Sequence, residues 1–484
     1  MSSSLHMNTV QPLSRSAGTD WPRRIGLLND YVRIPYANGS SFASQFLYRE
    51  LNARGHHVSV IGPWDPEATV PDLPPACFML ASGPLRNHPG VRVPLPTPRA
   101  LRAIAARKLE LVLGQSGSEL IELGVWLRAA YGVPFLAVNT IHLPSVYNVI
   151  LPDAWSESPA VQRLFVSGVV PWLERHSAHV YNQGDGLIVL SRGLSRYWQE
   201  RGVRVPIHVI PRAIEPKLFE REAGADPFDR RATPGQRLLC VCRHTREKGL
   251  KRLIEIFALY IAPNNPTATL TLVGDGPDHD SFQADVRRLG VQARVFFEGE
   301  LPVTRLSDYY RHADLFVYTS LSETYGQVVS EALYCGLPVV AFADGMGVSE
   351  QITSGSDGVL VALDANREHA DFRFGAEVLQ LLHARSTRHN FALQARKLAR
   401  LRCDPALCLD RYYDAFRAAR GHCSRTWQQG GILSTASPLV RWAGINGALL
   451  GLGLLRAPAV INRHGRKQPN WTELMTNAAG TGAV

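Results

Sequence analysis

The sequence predicts an α/β protein with two doubly wound domains in series. The first series begins with the apolar run Ile25-Gly26-Leu27-Leu28, continues with an amphipathic stretch at 41–54, and returns to an apolar run at 58–61. A strand, a helix and a second strand in this order form a βαβ unit. The runs that follow are continuously apolar, which is typical of parallel strands buried on both faces. They lie at 109–112, 135–138 and 186–190.

A second series of apolar runs begins at residue 238, after a segment that is rich in charge, proline and glycine. We predict that this segment, 216–235, is the linker between a first domain at 22–215 and a second domain at 236–402. Ligands of doubly wound sheets bind beyond the carboxyl ends of the strands, so a cleft between the two domains should contain the functional site. The runs of the second series lie at 238–242, 270–273, 295–297, 315–317 and 338–341.

The composition is that of a folded protein with a positive charge. A chain of 484 residues is longer than one core usually holds, and 45% apolar with 19% charged residues argues against global disorder. The net charge of +10 fits anionic nucleotides, anionic lipid surfaces or nucleic acid. Nucleic acid is the weakest of these partners, because the sequence has no arginine-rich helix and no basic patch interleaved with aromatic residues.

The cysteines and the amino-terminal residues predict a cytoplasmic protein without a structural metal. The seven cysteines are odd in number and scattered, and they form neither Cys-x-x-Cys pairs nor clusters with histidine at metal-ligand spacing. We therefore expect reduced thiols and no metal cofactor. Residues 1–21 are rich in Ser, Thr and Gly and have no apolar core, so we expect a flexible leader rather than a signal peptide.

The most informative motif is a pair of glutamates, Glu323 and Glu331, eight residues apart at a predicted strand-to-helix transition. The apolar run at 315–318 should be the strand, and Gly326 allows close approach of a ligand before the helix begins. The first amide groups of that helix, those of residues 327–329, could bind a phosphate or a sugar hydroxyl. With two carboxylates as hydroxyl acceptors, this site suits a nucleotide sugar. The alternative is a helix cap and an acidic residue on a solvated face.

Two cations flank the first strand-to-helix turn of the second domain. Arg243 follows the predicted strand directly, and Lys248 precedes an amphipathic helix. Such charges can stabilise a departing diphosphate, although taken alone they could be an ordinary surface pair. The nearby triplet Asp278-His279-Asp280 has the acid-x-acid form of a divalent metal site. We give it little weight, because acidic residues at the start of a helix also favour its dipole.

The first domain contributes two further candidates. Gly39 lies between the first predicted strand and helix, where its backbone can approach a phosphate. His142 follows the run at 135–138, and this places it at the carboxyl end of a strand, facing the cleft. The alternatives are an ordinary βα loop and a structural histidine.

Together these motifs resemble the retaining glycosyltransferases of family 4, which have the GT-B fold of two facing Rossmann-like domains. The resemblance covers 25–416 and is strongest over 238–361. It implies that Glu323 binds the donor sugar, Glu331 the nucleotide ribose, and Arg243 with Lys248 the diphosphate. It further implies that His142 lies near the sugar. The remaining donor-binding positions are Gly299 with Glu300 where main-chain atoms meet the nucleobase, Gly39 near a phosphate, and Tyr325, Gly326, Gln327 and Val328 in the glutamate loop.

The first-domain motifs are most similar to lipid-modifying and mannosyl members of that family. They are Tyr36-Ala37-Asn38-Gly39, the segment at 55–61, and Thr140-Ile141-His142 with Tyr147. The sequence departs from the usual His-Thr step by having Leu143 after His142. The acceptor is therefore left open between a membrane lipid and a soluble or polysaccharide hydroxyl.

The carboxyl-terminal residues form a predicted crossover helix at 403–420 and an extra tail at 421–484. Within the tail, 442–455 is an uncharged run flanked by arginines. A spanning helix needs about 20 apolar residues, so this run is too short to cross a bilayer. It is either an interfacial segment that makes the protein peripheral on the inner face of the cytoplasmic membrane, with Trp442 as its anchor, or a helix packed on the body.

We therefore expect a metal-independent, retaining glycosyltransferase that moves a sugar from a UDP- or GDP-sugar to an acceptor hydroxyl. In this interpretation Glu323, His142, Arg243 and Lys248 are the catalytic residues. Two alternatives are a GT-B epimerase or phosphorylase acting on sugar phosphates and a catalytically silent nucleotide-sugar binding protein. The sequence does not choose the sugar, the base or the oligomeric state.

Overall fold

The computed structural model describes residues 21–32, 39–66, 68, 73–85, 88–139, 159–222, 224–229, 235–321, 323–429 and 431–454. In its first domain the strands are β1 (Arg24–Asn29), β2 (His57–Pro63), β3 (Cys77–Leu80), β4 (Ser82–Leu85), β5 (His88–Pro94), β6 (Leu111–Gln115), β7 (Phe135–Val138), β8 (Gly186–Val189) and β9 (Ile207–Val209). The helices are α1 (Gly39–Ala53), α2 (Pro98–Ala105), α3 (Ile121–Tyr131), α4 (Pro159–Leu164), α5 (Val170–Tyr181) and α6 (Arg192–Glu200), with a π-helical turn (Phe165–Val169) between α4 and α5.

Seven of these strands form one parallel sheet in the order β3-β2-β1-β6-β7-β8-β9, while β4 and β5 form a separate antiparallel hairpin. The central strand β6 is buried along its whole length, as expected for a strand covered by helices on both faces. The chain reverses its direction of sheet growth between β1 and β6, and ligands of such sheets bind at this kind of switch point.

In the second domain the strands are β10 (Arg237–Val241), β11 (Thr269–Val273), β12 (Val295–Gly299), β13 (Leu315–Tyr318), β14 (Val339–Phe342) and β15 (Gly358–Val361). The helices are α7 (Pro216–Phe219), α8 (Leu250–Ile256), α9 (His279–Arg288), α10 (Val303–His312), α11 (Gln327–Cys335), α12 (Gly347–Gln351), α13 (Arg367–His383) and α14 (Arg385–Arg402). A 3₁₀ turn (Arg246–Lys248) precedes α8, and a π-helical turn (Phe257–Ile261) extends it.

The second sheet is also entirely parallel, in the order β12-β11-β10-β13-β14-β15. Here the switch point lies between β10 and β13, which are neighbours although three strands apart in sequence order. Helices cover both faces around a core of buried aliphatic and aromatic side chains. The prediction of an α/β protein with two Rossmann-like domains is confirmed.

The segment at 216–235, predicted as a linker, packs onto the second domain where it is described. Phe219 at the end of α7 and Phe228 are 5% and 3% exposed and belong to the core of that domain. Arg221 lies 2.6 Å from Asp308 of α10. The segment that charge and proline suggested as a linker is thus held to the second domain by buried aromatic rings and by an ion pair.

The crossover segment is the helix α15 (Pro405–Thr426), which returns to the first domain. Its amino terminus is capped by Asp404, whose Oδ1 accepts the amide N–H of Leu407 at 2.8 Å. Its apolar face, with Tyr412 and Phe416 among the buried residues, joins the core of the first domain and lies against β7 and β8. One helix therefore bridges the end of the second domain and the first sheet.

The tail contains the helix α16 (Ile432–Leu454), which docks on the first domain beside α3 and the β4–β5 hairpin. Trp442 is fully buried, and its indole N–H donates to the Pro94 carbonyl at 3.0 Å. Arg441 donates to both carboxylate oxygens of the buried Glu122, at 2.6 and 2.8 Å. The interpretation of Trp442 as an interfacial anchor is therefore wrong, because its ring is enclosed by the protein. Among the described helices, none combines the length and the apolar character that crossing a membrane requires.

Candidate functional site

The two motif-bearing loops of the second domain meet at its switch point. In β10 and β13, Leu238 pairs with Leu315 and Leu239 with Phe316 in parallel register, so the loops that follow the two strands leave the sheet side by side. One loop carries Arg243 and Lys248, and the other carries Glu323. Residues about 75 positions apart in the chain are thereby brought together at the carboxyl edge of the sheet.

Gly249 fixes the distance between these loops. Its φ angle is +71°, a conformation that favours glycine, and a Cβ here would lie 2.8 Å from the Thr319 carbonyl oxygen. Thr319 in turn donates its hydroxyl to the Gly249 carbonyl at 2.9 Å. The turn that presents Lys248 is therefore seated directly on the end of β13.

Lys248 and Glu323 form an ion pair at the centre of the site. The Lys248 Nζ lies 2.5 Å from Glu323 Oε1, and the same oxygen accepts hydroxyl hydrogens from Tyr318 at 2.7 Å and Ser320 at 2.9 Å. Burial raises the pKa of Glu323, but the charge of Lys248 and these hydrogen bonds outweigh burial and leave the pKa below 4.5. Glu323 is therefore a fixed carboxylate at neutral pH.

The Lys248 ammonium is likewise held in its charged form. Burial lowers its pKa, whereas Glu323 raises it by charge and by hydrogen bonding, and the net result is a pKa above 10.5. An ammonium has three hydrogen-bond donors, so Lys248 can bind an anion while it remains bonded to Glu323.

Arg243 lies on the loop after β10, five residues before Lys248. Its side chain is exposed, and within the described part of the chain it makes neither a hydrogen bond nor an ion pair. The loop itself is braced by the turn after β11, because the His244 amide donates to the Asp275 carbonyl at 2.9 Å. A rigid backbone thus presents a guanidinium with open donors.

Gly326 begins helix α11 with φ +80°, and a Cβ at this position would lie 3.2 Å from Val348. The sequence predicts that the amides of residues 327–329 face a ligand. The Val329 amide instead donates to the Gly326 carbonyl at 2.9 Å, so this N–H is bonded within the protein. The Gln327 Oε1 is buried without a hydrogen-bond partner in the described residues. Val328 is partly buried against the core.

The Tyr325 side chain points into the protein rather than into the cleft. It is 3% exposed, and its hydroxyl accepts a hydrogen bond from Ser330 at 3.1 Å and lies 3.7 Å from the Cys403 sulfur. Gln351 bonds to the Tyr325 carbonyl. Tyr325 therefore anchors the glutamate loop to the protein interior.

Glu331 occupies a different environment from Glu323. Only one hydrogen bond to it is seen among the described residues, from the Tyr310 hydroxyl to Oε2 at 2.9 Å. Burial raises its pKa to about 7, and the Tyr310 hydrogen bond offsets only part of that effect. The two glutamates of one motif thus have pKa values shifted in opposite directions, one by a partner cation and the other by burial.

The remaining predicted residues are placed as follows. Gly299 ends β12 with φ +68°, and the Gly274 amide donates to its carbonyl at 2.7 Å, so it lies at the same edge of the sheet as Arg243. Glu300 is exposed beside it. Gly39 is the first residue of α1. His142 lies outside the described residues, so its position relative to the glutamates stays a prediction.

Sequence reasoning missed the hydroxyl groups that hold the glutamates. Tyr318 ends a strand that the sequence predicts as buried, and Tyr310 lies on the amphipathic helix α10. Both positions look like ordinary core residues in the sequence. Ser320 carried a weak signal, since it follows a strand and precedes the acidic motif by three residues.

One cluster near the loop after β10 has metal-ligand character. Ligand atoms of His244, Asp275 and His279 lie within 4.8 Å of one another. The two Nδ1 atoms of the histidines are 2.8 Å apart and share a hydrogen bond, and burial lowers the pKa of His244 to about 4. Of the triplet Asp278-His279-Asp280, His279 belongs to this cluster, whereas Asp278 accepts hydrogen bonds from the backbone and side chain of Arg246.

The two domains also touch each other beside the site. Gly193 at the start of α6 approaches Gly345 so closely that a Cβ would lie 2.2 Å from the Gly345 carbonyl oxygen. Arg192 bonds to Glu350 of α12 across this contact. A Cβ at Gly347, the first residue of α12, would lie 2.4 Å from the Tyr325 Cα, so the glutamate loop packs against the same α12 that contacts the first domain.

Comparison with known proteins agrees with this geometry. The family model described as Glycosyl transferases group 1 matches residues 227–398, and the model described as Glycosyltransferase Family 4 matches residues 38–218. The first match contains Arg243, Lys248 and both glutamates.

Two curated relatives and one solved structure extend the likeness. The alpha-monoglucosyldiacylglycerol synthase of Streptococcus pneumoniae is 25% identical over 66% of this chain and 70% of its own length. The GDP-mannose-dependent alpha-mannosyltransferase of Mycobacterium tuberculosis is 27% identical over 80% of this chain and 95% of its own. The crystal structure of Anabaena HepE in complex with UDP superposes with a TM-score of 0.61 at 18% identity, over 82% of this chain and 100% of HepE. The chain therefore belongs to the GT4-type glycosyltransferases, retaining enzymes with the GT-B fold.

Proposed function

We propose that this glycosyltransferase transfers a hexosyl group from a nucleoside diphosphate sugar to an acceptor hydroxyl and that it needs no metal. The observation that carries the proposal is the Lys248–Glu323 pair at the switch point, with the open guanidinium of Arg243 beside it. Cations at this place can bind the diphosphate, and a fixed carboxylate next to them can accept hydroxyl groups of the attached sugar. The relative named as a GDP-mannose-dependent mannosyltransferase supports this choice of donor.

The chemical step follows from the charges of the site. The bond between the sugar C1 and the diphosphate oxygen breaks, and its electron pair stays on that oxygen. Arg243 and Lys248 stabilise the developing negative charge. The acceptor oxygen bonds to C1 on the same face, and its proton passes to the departing phosphate oxygen, so the anomeric configuration is retained.

The two glutamates divide the remaining work. Glu323, ionised and held by three donors, orients the sugar through its hydroxyl groups. Glu331, with a pKa of about 7, accepts hydrogen bonds from the ribose hydroxyls when it is ionised. His142 is proposed to contact the sugar from the first domain, as the family resemblance implies.

For the acceptor we propose a hydroxyl of a membrane lipid. The relative named for glucosyl-diacylglycerol synthesis supports this class. The first domain also exposes large apolar side chains, which are typical of surfaces that contact a membrane or another protein: Leu164 is 70% exposed and Trp172 is 51% exposed. Both lie in the α4–α5 region of the first domain, whereas the residues proposed to bind the donor diphosphate lie in the second domain.

The test is release of nucleoside diphosphate from a panel of UDP-, GDP- and ADP-sugars in the presence of EDTA, with and without lipid vesicles or water-soluble acceptors. Release that requires one donor and the vesicles is the expected result. Release only with soluble acceptors would refute the lipid acceptor but keep the transferase. Binding of a donor without release in any mixture would favour the catalytically silent binding protein.

A further inference from the structure

Arg212 occupies the segment that leads from the first sheet to the second domain, and its backbone is held on both sides. Two residues before it, the Ile210 amide donates to the Val189 carbonyl of the first sheet at 2.9 Å. Two residues after it, the Ile214 amide donates to the Cys403 carbonyl at 3.0 Å. The Cys408 thiol donates to the Pro211 carbonyl at 3.3 Å. The start of this side chain is therefore fixed relative to both domains.

The guanidinium of Arg212 has no counter-ion among the residues that the structure describes. Its Nε is buried without a hydrogen-bond partner, and the side chain forms no ion pair within that part of the chain. The groups that act on it electrostatically are Tyr412 and Cys408 of α15 together with Tyr325 and Glu323 of the glutamate loop. Three of these four groups are neutral at pH 7, since burial raises the pKa of both tyrosines and of the thiol.

Glu323 cannot neutralise Arg212 on its own, because it is already paired. Its Oε1 accepts from Lys248, Tyr318 and Ser320. With Arg212 and Lys248 around this one carboxylate, and with Arg243 open on the neighbouring loop, the site carries surplus positive charge. A partly buried cation without a counter-ion is costly to a folded protein. It is expected to persist where a ligand supplies the missing anion.

We propose that Arg212 binds a phosphate group of a substrate, as a third cation of the site that comes from the inter-domain segment rather than from the second-domain loops. This inference rests on the proposed function, since it requires a phosphorylated substrate in the cleft. The phosphate belongs either to the diphosphate of the donor or to a phosphorylated acceptor. Both sources present the same chemistry to the guanidinium.

The experiment compares Arg212→Met and Arg212→Lys with the wild type and with Arg417→Met. Arg417 is a suitable control because its side chain is 69% exposed and, among the described residues, its ion pair is with Asp414 of its own helix. The measurements are the thermal unfolding midpoint without ligand and the dissociation constants for UDP or GDP, for the matching nucleoside, and for glycerol 3-phosphate.

If Arg212 binds the donor, Arg212→Met weakens nucleoside diphosphate binding about tenfold to a hundredfold, as for loss of a charge-assisted hydrogen bond. The nucleoside should bind as before, and the unliganded midpoint should stay level or rise, because an uncompensated charge is gone. A loss seen only with glycerol 3-phosphate would assign Arg212 to an acceptor phosphate. Arg212→Lys keeps the charge and should lose less affinity. If Arg212→Met does not fold, the affinity of Arg212→Lys provides the test.

A lowered midpoint with unchanged affinity for both phosphates in both variants would overturn the inference and make Arg212 structural. Failure of the wild type to bind any nucleoside diphosphate would instead refute the proposed function. The two failures are therefore distinguishable in one set of titrations.

Discussion

The Nζ of Lys248 lies 2.5 Å from Oε1 of Glu323, and this contact joins the loops that follow two neighbouring strands, β10 and β13. The cation proposed to bind the diphosphate and the carboxylate proposed to bind the sugar are thereby set side by side. The pair keeps both groups ionised in a partly buried place, since each offsets the burial of the other.

Replacing Glu323 by Gln should separate turnover from nucleotide binding. The neutral amide keeps the shape but loses the charge that orients the sugar, so the turnover number should fall by about a hundredfold or more, while the inhibition constant of the free nucleoside diphosphate changes little. The measurement is steady-state kinetics with product inhibition. Glu368→Gln, at an exposed position in the first turn of α13, is the control. Equal losses in turnover and nucleotide binding would contradict the sugar-orienting role.

The pH dependence of donor affinity should report Glu331. Its folded-state pKa of about 7 lies above the ordinary 4.5, so its neutral form is favoured below pH 7 and its ionised form above. Ribose hydroxyls need the ionised acceptor, and affinity for the nucleoside diphosphate should therefore rise as the pH increases through about 7. Binding titrations of the nucleoside diphosphate between about pH 5.5 and 8.5, a range that brackets the Glu331 pKa, measure this affinity.

The control for that profile is Glu331→Gln, which should bind weakly at every pH and show no midpoint near 7. Tyr310→Phe removes the hydrogen bond that lowers the Glu331 pKa and should move the midpoint to higher pH. The same raised pKa destabilises the unliganded protein as the pH rises from 4.5 to 7. The unfolding free energy of Glu331→Gln, relative to that of the wild type, should therefore be higher at pH 8 than at pH 5. A flat wild-type profile would contradict the assignment.

Gly249→Ala should impair function through geometry, and Gly290→Ala is a matched control. Both glycines have φ near +70°, but a Cβ at 249 would meet the Thr319 carbonyl at 2.8 Å whereas one at 290 meets nothing within 4 Å. Each variant should lose about 1–2 kcal/mol of unfolding free energy from backbone strain. Only Gly249→Ala should also lose nucleoside diphosphate affinity, because it displaces Lys248. Urea denaturation and calorimetric titration measure the two effects, and equal affinities in both variants would refute the positioning argument.

Trp442→Ala should destabilise the protein rather than weaken membrane binding. Removing this fully buried ring leaves a cavity and takes away one of the two hydrogen bonds to the Pro94 carbonyl, which keeps the one from Asn446 at 2.6 Å. The expected cost is about 3–5 kcal/mol. Leu433→Ala, on the same helix but 87% exposed, should leave stability unchanged. Denaturation and vesicle flotation together decide the point. A Trp442→Ala protein of normal stability that no longer binds vesicles would restore the anchor interpretation.

Much of the fold was predictable because it rests on local patterns. Continuous apolar runs followed by amphipathic stretches predict buried parallel strands and covering helices, and the structure has two such sheets. The carboxylates and cations were recognisable because each follows a predicted strand. The reversal of strand order that makes β10 and β13 neighbours is a long-range property, so the contact between Lys248 and Glu323 could not be derived from spacing alone.

Composition was a poorer guide where charged and aromatic residues alternate. The segment at 216–235 contains enough charge and proline to suggest a linker, yet Phe219 and Phe228 are buried in the second-domain core. The apolar run around Trp442 was equally compatible with a membrane-surface segment and with a helix packed on the protein, because an aromatic residue beside an arginine occurs in both. Only the partner groups, Glu122 and Pro94, distinguish the two. Arg212 carried no signal, since one arginine after a strand looks like any other.

The most direct test of the central claim, that Lys248 beside Glu323 binds the donor diphosphate, is donor turnover by Lys248→Met and Lys251→Met in EDTA. Lys251 is an exposed lysine three residues further along the same loop-to-helix segment. With the preferred donor and acceptor, Lys248→Met should release nucleoside diphosphate about a hundredfold to a thousandfold more slowly than the wild type, whereas Lys251→Met should match the wild type. Both proteins should unfold cooperatively, as checked by circular dichroism. Wild-type turnover in a folded Lys248→Met protein would contradict the claim.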